Sequence, residues 1–224
     1  MNAFVTGAGR GLGLELVRQL AARGATVHAG IRDGSRTELE AISGVRIHRL
    51  DVSDDASVAA VARELADTPL DLVINNAGVY GGAKQTIREV DFADAMRTYN
   101  TNALGALRVS LALLPNLRRG AGKKLAHITS GMGSIADNTS GAFYGYRMAK
   151  AALNMMSRSL SVDLRPDKIV SVVVNPGWVQ TDMGGKNATT PVATSVAGIL
   201  RVVEAANLER SGEFLDFKGG NYPW

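Results

Sequence analysis

"AFVTGAGRGLGLELV", residues 3–17, runs from a short apolar segment through four glycines into a helix-like apolar spacing. A strand that passes through glycines into a helix presents free backbone N–H groups and the positive end of a helix dipole at one point. Glycines there let the backbone approach a phosphate closely. Outward from this stretch, β-branched or apolar runs recur at 25–31, 45–50, 70–75, 124–130, 169–175 and 213–217. Helix-compatible segments lie between them, at 11–23, 55–67, 89–118, 141–165 and 192–208. With the first run at 3–6, this alternation predicts seven strands in one open parallel sheet with helices on both faces. "IVSVVV" at 169–174 is nearly all apolar, as a strand covered on both sides requires.

The glycine- and polar-rich signals follow the strands. "GAGRGLG" follows the first, Arg32-Asp33 the second, Asp51 the third, Asn75-Asn76-Ala77-Gly78 the fourth, Ser130 the fifth and Asn175-Pro176-Gly177 the sixth. Ligands of open α/β sheets bind outside the carboxyl ends of the strands, near the topological switch point. The signals therefore converge on one site in one domain, residues 1–224, with no repeat or long polar linker to divide it.

Composition narrows the chemistry. There is no cysteine, so disulfides, thiolate metal sites and cysteine nucleophiles are excluded. His28, His48 and His127 are too scattered for a metal motif, and no metal is expected. The start has neither a charged leader nor an apolar h-region, and no apolar run reaches bilayer length, so a cytoplasmic protein without a membrane partner is expected. The net charge of +4 favours anionic partners such as nucleotides. The basic cluster "RRGAGKK", 118–124, sits at a glycine-broken turn and reads as a solvated connector, so no nucleic-acid partner is expected.

The loop departs from GxGxxG because Leu12 stands in the place of the last glycine; Gly7, Gly11 and Gly13 fit TGxxxGxG instead. Alone, such a loop is also compatible with an incidental tight turn. Arg10 within it, and Arg32 after the second strand, suit a ribose 2′-phosphate and so NADP(H). Asp33 would serve NAD(H) if the strand ended one residue later.

The segment "SGAFYGYRMAK", 140–150, holds two tyrosines. In a helix over 141–165, capped by Asn138, Thr139 or Ser140, Tyr146 and Lys150 share a face at i and i+4. Tyr144 is followed four residues on by Met148, although Arg147 three residues on leaves a Tyr144 pairing open. A free phenol has a pKa near ~10, and a neighbouring ammonium favours the phenolate. A nicotinamide cofactor transfers a hydride but no proton, so carbonyl reduction needs a proton donor such as Tyr146. An isolated YxxxK also fits a packed tyrosine beside a snorkelling lysine.

The combination of "TGxxxGxG" at 6–13, "NNAG" at 75–78, Asn102, Ser130, "YRMAK" at 146–150 and "NPGWVQTDM" at 175–183 resembles the short-chain dehydrogenase/reductase family over essentially the whole chain. It is most similar to short C-factor-like and carbonyl-reductase-like members, with "TSGMGSI", "YRMAKAALN" and "GGNYPW" as further echoes. The resemblance implies a Rossmann-type doubly wound α/β/α sandwich and an NADP(H)-dependent oxidoreductase acting on a small-molecule carbonyl or secondary alcohol. It also implies that Ser130 polarises the carbonyl, that Tyr146 is the general acid/base and that Lys150 lowers its pKa and holds the nicotinamide ribose. Asn102 would maintain a water-linked proton relay. The implied cofactor residues are Gly7, Gly9, Arg10, Gly11, Leu12, Gly13, Arg32, Asp51, Val52, Asn75, Ala77, Gly78, Tyr146, Lys150, Pro176, Gly177, Val179 and Thr181.

Ser130 lies sixteen residues before Tyr146, more than the usual family interval, so the loop 131–141 is expected to carry an insertion beside the substrate. Phe143 falls at the more usual interval but cannot act as an acid, and Ser134 and Ser140 read as surface hydroxyls. Val79, Tyr80, Met132, Trp178 and Met183 are candidate apolar walls. The short "DMGGKNATTP" leaves the pocket open or completed by another subunit. A homodimer is expected, with a tetramer as the alternative. The rival function is a C-factor-like regulatory protein that binds the dinucleotide with little turnover.

Overall fold

The computed structural model describes residues 1–32 and 36–224 of the chain. In order they form β1 (Asn2–Thr6), α1 (Gly11–Ala22), β2 (Thr26–Ile31), α2 (Arg36–Glu40), β3 (Val45–Arg49), α3 (Asp55–Glu64) and β4 (Leu72–Asn75). A small antiparallel hairpin, β5 (Gln85–Thr86) with β6 (Glu89–Val90), leads into α4 (Phe92–Tyr99), a π turn (Asn100–Leu104), α5 (Gly105–Ala112) and α6 (Leu114–Arg119). The chain continues through β7 (Lys124–Ile128), a 3-10 turn (Gly131–Gly133), α7 (Tyr144–Asp163), β8 (Val170–Asn175), α8 (Val192–Ala205) and β9 (Phe214–Asp216).

Seven strands make one parallel sheet in the order β3-β2-β1-β4-β7-β8-β9, so the Rossmann-type doubly wound expectation is met. The chain moves outward from β1 in one direction through β2 and β3, then returns to build the other half from β4. The strand period of two assigns the layers. Ala3, Val5, Leu72, Ile74, Val172 and Val174 face the core under α1 and α8, whereas Phe4, Val73 and Leu125 face the core under α3, α5 and α7. Fully burying such a side chain contributes about 1.5–3 kcal/mol.

The segment expected as one helix over 89–118 is three helices and a π turn. The hairpin takes its first residues, Asp91 caps α4 by accepting a hydrogen bond from the Asp94 N–H at 2.9 Å, and α6 starts with a proline in its first turn. The helix expected over 141–165 begins later, at Tyr144. Gly141, Ala142 and Phe143 all have left-handed φ, at +64°, +53° and +52°, so Asn138, Thr139 and Ser140 cannot cap it. The basic turn at 118–124 is tied to its own chain. Arg118 pairs with Asp167 at 2.8 Å, and Arg119, Lys123 and Lys124 donate to main-chain carbonyls.

Among the described residues no helix is long and apolar enough to cross a membrane, and no cluster of three or more His, Asp or Glu is placed to hold a metal ion. The histidines serve the core. His28 Nδ1 lies 3.0 Å from His48 Nε2, whose Nδ1 lies 2.7 Å from a Glu64 carboxylate oxygen. His127 sits between Asn75 at 3.1 Å and Ser171 at 3.4 Å. Burial, with the charges of His48 and Arg46, lowers His28 to about 4. Burial, with the charge of Lys150, lowers His127 to about 3.

Both imidazoles are neutral in the folded chain and take protons more readily when it unfolds. Their contribution to stability is complete above an unfolded value of about 6.5 and is lost as the pH falls towards their folded values. Urea melts at pH 5.0 should show a loss of about 2 kcal/mol for each histidine relative to pH 7.5. Equal unfolding free energies at the two pH values would contradict this account.

Candidate active site

Because the strands are parallel, their carboxyl ends meet at one edge, and a cleft of about 490 Å³ opens there between the ends of β1 and β4. The glycine loop forms its floor. A Cβ on Gly13 would lie 2.0 Å from the Gly7 carbonyl oxygen and 2.6 Å from Asn76 Nδ2, so only glycine fits. Gly7 has φ +64°, and a Cβ there would meet the Ala77 backbone at 2.8 Å. Arg10 enters α1 in an extended conformation with no side-chain cap, leaving the first-turn N–H groups to a ligand. This donor set suits a phosphate-bearing ligand.

The cleft brings together most of the expected cofactor residues: Gly7, Gly9, Arg10, Gly11, Leu12, Gly13, Arg32, Asp51, Val52, Ala77, Gly78, Tyr146, Lys150, Pro176 and Thr181. Asp33 lies outside the described residues. Asp51 is buried enough to raise its carboxyl, but hydrogen bonds from the Ser53 side chain and N–H, with the Arg32 charge, lower it overall. Arg10 pairs with Asp182 at 3.2 Å, joining the glycine loop to the segment after β8.

Three expected cofactor residues do not line the cleft. Asn75 is the last residue of β4 and points to the α5 face, where Nδ2 donates to Ser110 at 3.0 Å and lies 3.1 Å from His127. Its neighbour Asn76 takes the place in the cleft and donates to the Thr6 and Gly7 carbonyls at 3.0 and 3.2 Å. Gly177 turns under Phe217, and Val179 is buried and bridged to Thr190. Both shape the segment that presents Pro176 and Thr181. Ile31, Leu50, Thr101, Ile128, Thr129 and Asp182 line the cleft without having been expected. Ile31 ends β2, Leu50 follows β3 and Ile128 ends β7, so the strand-end rule that exposed the polar signals applies to these apolar residues as well.

Of the candidate apolar walls, Val79 and Met183 line the cleft. Tyr80 instead packs its ring 4.7 Å from that of Tyr146 and 5.5 Å from that of Phe143, with its hydroxyl 4.0 Å from Met132 Sδ. The Trp178 indole donates to the Gly184 carbonyl at 2.8 Å.

Ser130 stands beside the buried Tyr146 phenol and is the neighbour that pulls its pKa down. Ser130 leaves β7 in an extended conformation and also accepts the Met132 N–H at 3.1 Å. Ser134 is buried rather than a surface hydroxyl, and donates to the Trp224 carbonyl; Ser140 accepts from Arg147. Tyr144 stands at the exposed start of α7, and Arg147 reaches back to the preceding loop instead of pairing with it. The tyrosine that lines the cleft is therefore Tyr146.

The Tyr146 phenol is raised overall rather than lowered, and Lys150 lies to one side of its ring. Its ammonium donates to the Ile128 carbonyl at 2.8 Å and lies 5.8 Å from the Tyr146 ring centre. Burial pushes the phenol up to about 12 against the downward pull of the Ser130 hydrogen bond, with Tyr80 adding to the rise. Burial also lowers Lys150 to about 8. Asn102, in the π turn, accepts the Val79 N–H and donates to the Val79 carbonyl, both at 2.8 Å. Its side chain holds the segment after β4.

A family model described as short chain dehydrogenase matches residues 1–191. The chain is 54% identical over 165 residues to the protein named C-signal of Myxococcus xanthus, covering 74% of this chain and 99% of that one. It is 33% identical over 231 residues to a 1-hydroxy-2-glutathionyl-2-methyl-3-butene dehydrogenase of Rhodococcus sp. strain AD45, covering 100% and 99% of the two chains. The solved NADPH-bound carbonyl reductase from chicken fatty liver superposes with a TM-score of 0.92 at 36% identity, over 100% of this chain and 98% of that one. A glycine cradle at the switch point of a seven-stranded parallel sheet, matched by a family model over most of its length, establishes that the chain belongs to the short-chain dehydrogenase/reductase family, among members of the C-factor and carbonyl-reductase kind.

Proposed function

We propose that the protein is an NADP(H)-dependent oxidoreductase that interconverts a small-molecule carbonyl and secondary alcohol, with Tyr146 as the general acid/base. The observation that carries this reading is the buried pair Tyr146 and Lys150 lining the same cleft as the glycine cradle, with Ser130 beside the phenol. The NADPH-bound carbonyl reductase of the same fold supports the choice of cofactor.

The residues fit the cofactor. Gly7, Gly9, Gly11 and Gly13 would receive the pyrophosphate, Asp51 and Val52 the adenine, and Arg10 and Arg32 the 2′-phosphate. Pro176, Thr181 and Lys150 lie towards the nicotinamide end. When bound, the nicotinamide supplies or accepts the hydride. Ser130 orients the carbonyl oxygen and Tyr146 gives it a proton. Burial keeps the phenol protonated but, at about 12, makes it a weaker acid, and Ser130 pulls against that rise. Lys150 keeps its proton below about 8, where its charge favours an anionic oxygen nearby.

The similarity to C-signal favours a second reading, a regulatory protein that binds the dinucleotide with little turnover. The two readings separate in one experiment: NADPH oxidation by wild type and Tyr146→Phe against aldehydes, ketones and quinones, with cofactor affinity measured independently. The variant should bind NADPH normally and lose turnover by at least about 100-fold. Wild type that binds NADPH and reduces no carbonyl would favour the regulatory reading.

Cofactor choice has its own test. Arg32→Ala should weaken NADPH binding by about 10- to 100-fold and leave NADH within about twofold, as loss of a charge-assisted contact to one phosphate requires. Parallel losses for both cofactors would remove the 2′-phosphate assignment.

A homodimer is part of the same reading. Met148, Met155 and Val162 are exposed at seven-residue spacing along α7, and Phe92 and Met96 are exposed on the neighbouring α4. Light scattering should give twice the 23.6 kDa chain mass, and Met155→Lys should return it to one chain. A wild-type monomer at micromolar concentration would overturn the dimer.

A further inference from the structure

We infer that Arg147 and Tyr222 are positioning residues that clamp the 131–143 loop from two sides and so keep Ser130 in place beside Tyr146; the inference rests on the oxidoreductase reading above. The long interval between Ser130 and Tyr146 creates the need. The residues from 135 to 141 are exposed, and the loop ends in three successive left-handed residues, two of which are not glycine. Such a backbone is held only when its surroundings over-determine it.

One side of the clamp comes from α7. The Arg147 guanidinium donates to the Gly141 carbonyl at 3.1 Å, to Ser140 Oγ at 2.8 Å and to the Met132 carbonyl at 3.5 Å. One planar group thus joins both ends of the loop at the residue next to Tyr146. A lysine has no fork with which to reach three acceptors.

The other side comes from the segment after β9. Tyr222 donates its hydroxyl to an Asp137 carboxylate oxygen at 2.6 Å. The Trp224 carbonyl accepts the Ala136 N–H at 2.7 Å and the Ser134 hydroxyl at 3.1 Å. The rings of Tyr222 and Trp224 pack 4.9 and 5.4 Å from that of Phe214, which is buried in β9. The loop is thereby referred to the central sheet. The approach is close: a Cβ on Gly131 would fall 2.4 Å from the Tyr222 hydroxyl oxygen. Gly131 directly follows Ser130, so a shift of Tyr222 reaches the serine within one residue.

The test uses Arg147→Ala, Arg147→Lys and Tyr222→Phe in the full chain. Readouts are carbonyl-reduction kinetics, NADPH affinity, and hydrogen exchange of peptides spanning 131–143. Loosening the clamp should accelerate exchange there in all three variants. It should lower kcat about 10- to 100-fold, as displacement of a reacting group by about 1 Å does, and leave NADPH affinity within about twofold. Arg147→Lys should keep most of the defect. Unchanged exchange, or a loosened loop with kcat unchanged, overturns the inference, as does a parallel loss of NADPH affinity. If wild type binds NADPH and reduces no carbonyl, the oxidoreductase reading has failed separately, and loop exchange alone then decides whether these residues form the clamp.

Discussion

Thr6 holds the two halves of the sheet together at the point where the site opens. Its hydroxyl accepts the N–H groups of Asn76 and Ala77 at 3.0 and 2.9 Å, and Asn76 returns its amide to the carbonyls of Thr6 and Gly7. These bonds bring the ends of β1 and β4 so close that Gly7 must turn left-handed over Ala77 and Gly13 can carry no side chain. The start of α1 is aimed into the cleft as a result. The Arg10–Asp182 pair and the packing of Thr181 against Gly11 then bring the segment after β8 onto the same loop. One constraint at the switch point thus places the phosphate cradle, the cleft wall and the chain segment facing it.

The chemical half of the site stands under a different tension. A phenol and an ammonium are buried together, and burial works against the ionised form of each, raising Tyr146 and lowering Lys150. The Ser130 hydroxyl offsets part of this for Tyr146, and the Ile128 carbonyl gives Lys150 a partner. Neither contact is local in sequence. Both come from β7 and the turn after it, so the position of that strand relative to α7 sets the state of the phenol. Gly133 permits the approach, since a Cβ there would lie 2.9 Å from that of Lys150.

The strands were legible because parallel strands covered on both faces are short apolar runs, and all seven expected runs pair in the sheet. The helices were less so where tertiary contacts override periodicity. The apolar spacing across 89–118 continues through the π turn and the break at Leu113, neither of which changes which residues are apolar. Before α7, Asn138, Thr139 and Ser140 had the chemistry of caps, but Arg147 and the left-handed residues after them set where the helix begins. Asn75 and Asn76 show the finer limit. The strand's alternation distinguishes their faces, yet a motif shared by both conceals it, and Asn76 is the one in the cleft. Lys150 shows the reverse case: helical spacing placed it on the face of Tyr146, while the acceptor that turns its ammonium aside, the Ile128 carbonyl, ends β7.

The sequence by itself determined the order of the sheet strands, the glycine loop after the first of them and the shared helix face of Tyr146 and Lys150, because these rest on local periodicity, glycine and i,i+4 spacing. Only the tertiary structure decided which strand-end residues face the cleft, how burial sets the phenol and the ammonium, and what restrains the long loop between Ser130 and Tyr146. Each depends on groups distant in the chain, Phe214 and Tyr222 against residues 131–137 above all, and contacts of that kind leave no periodic trace in the sequence.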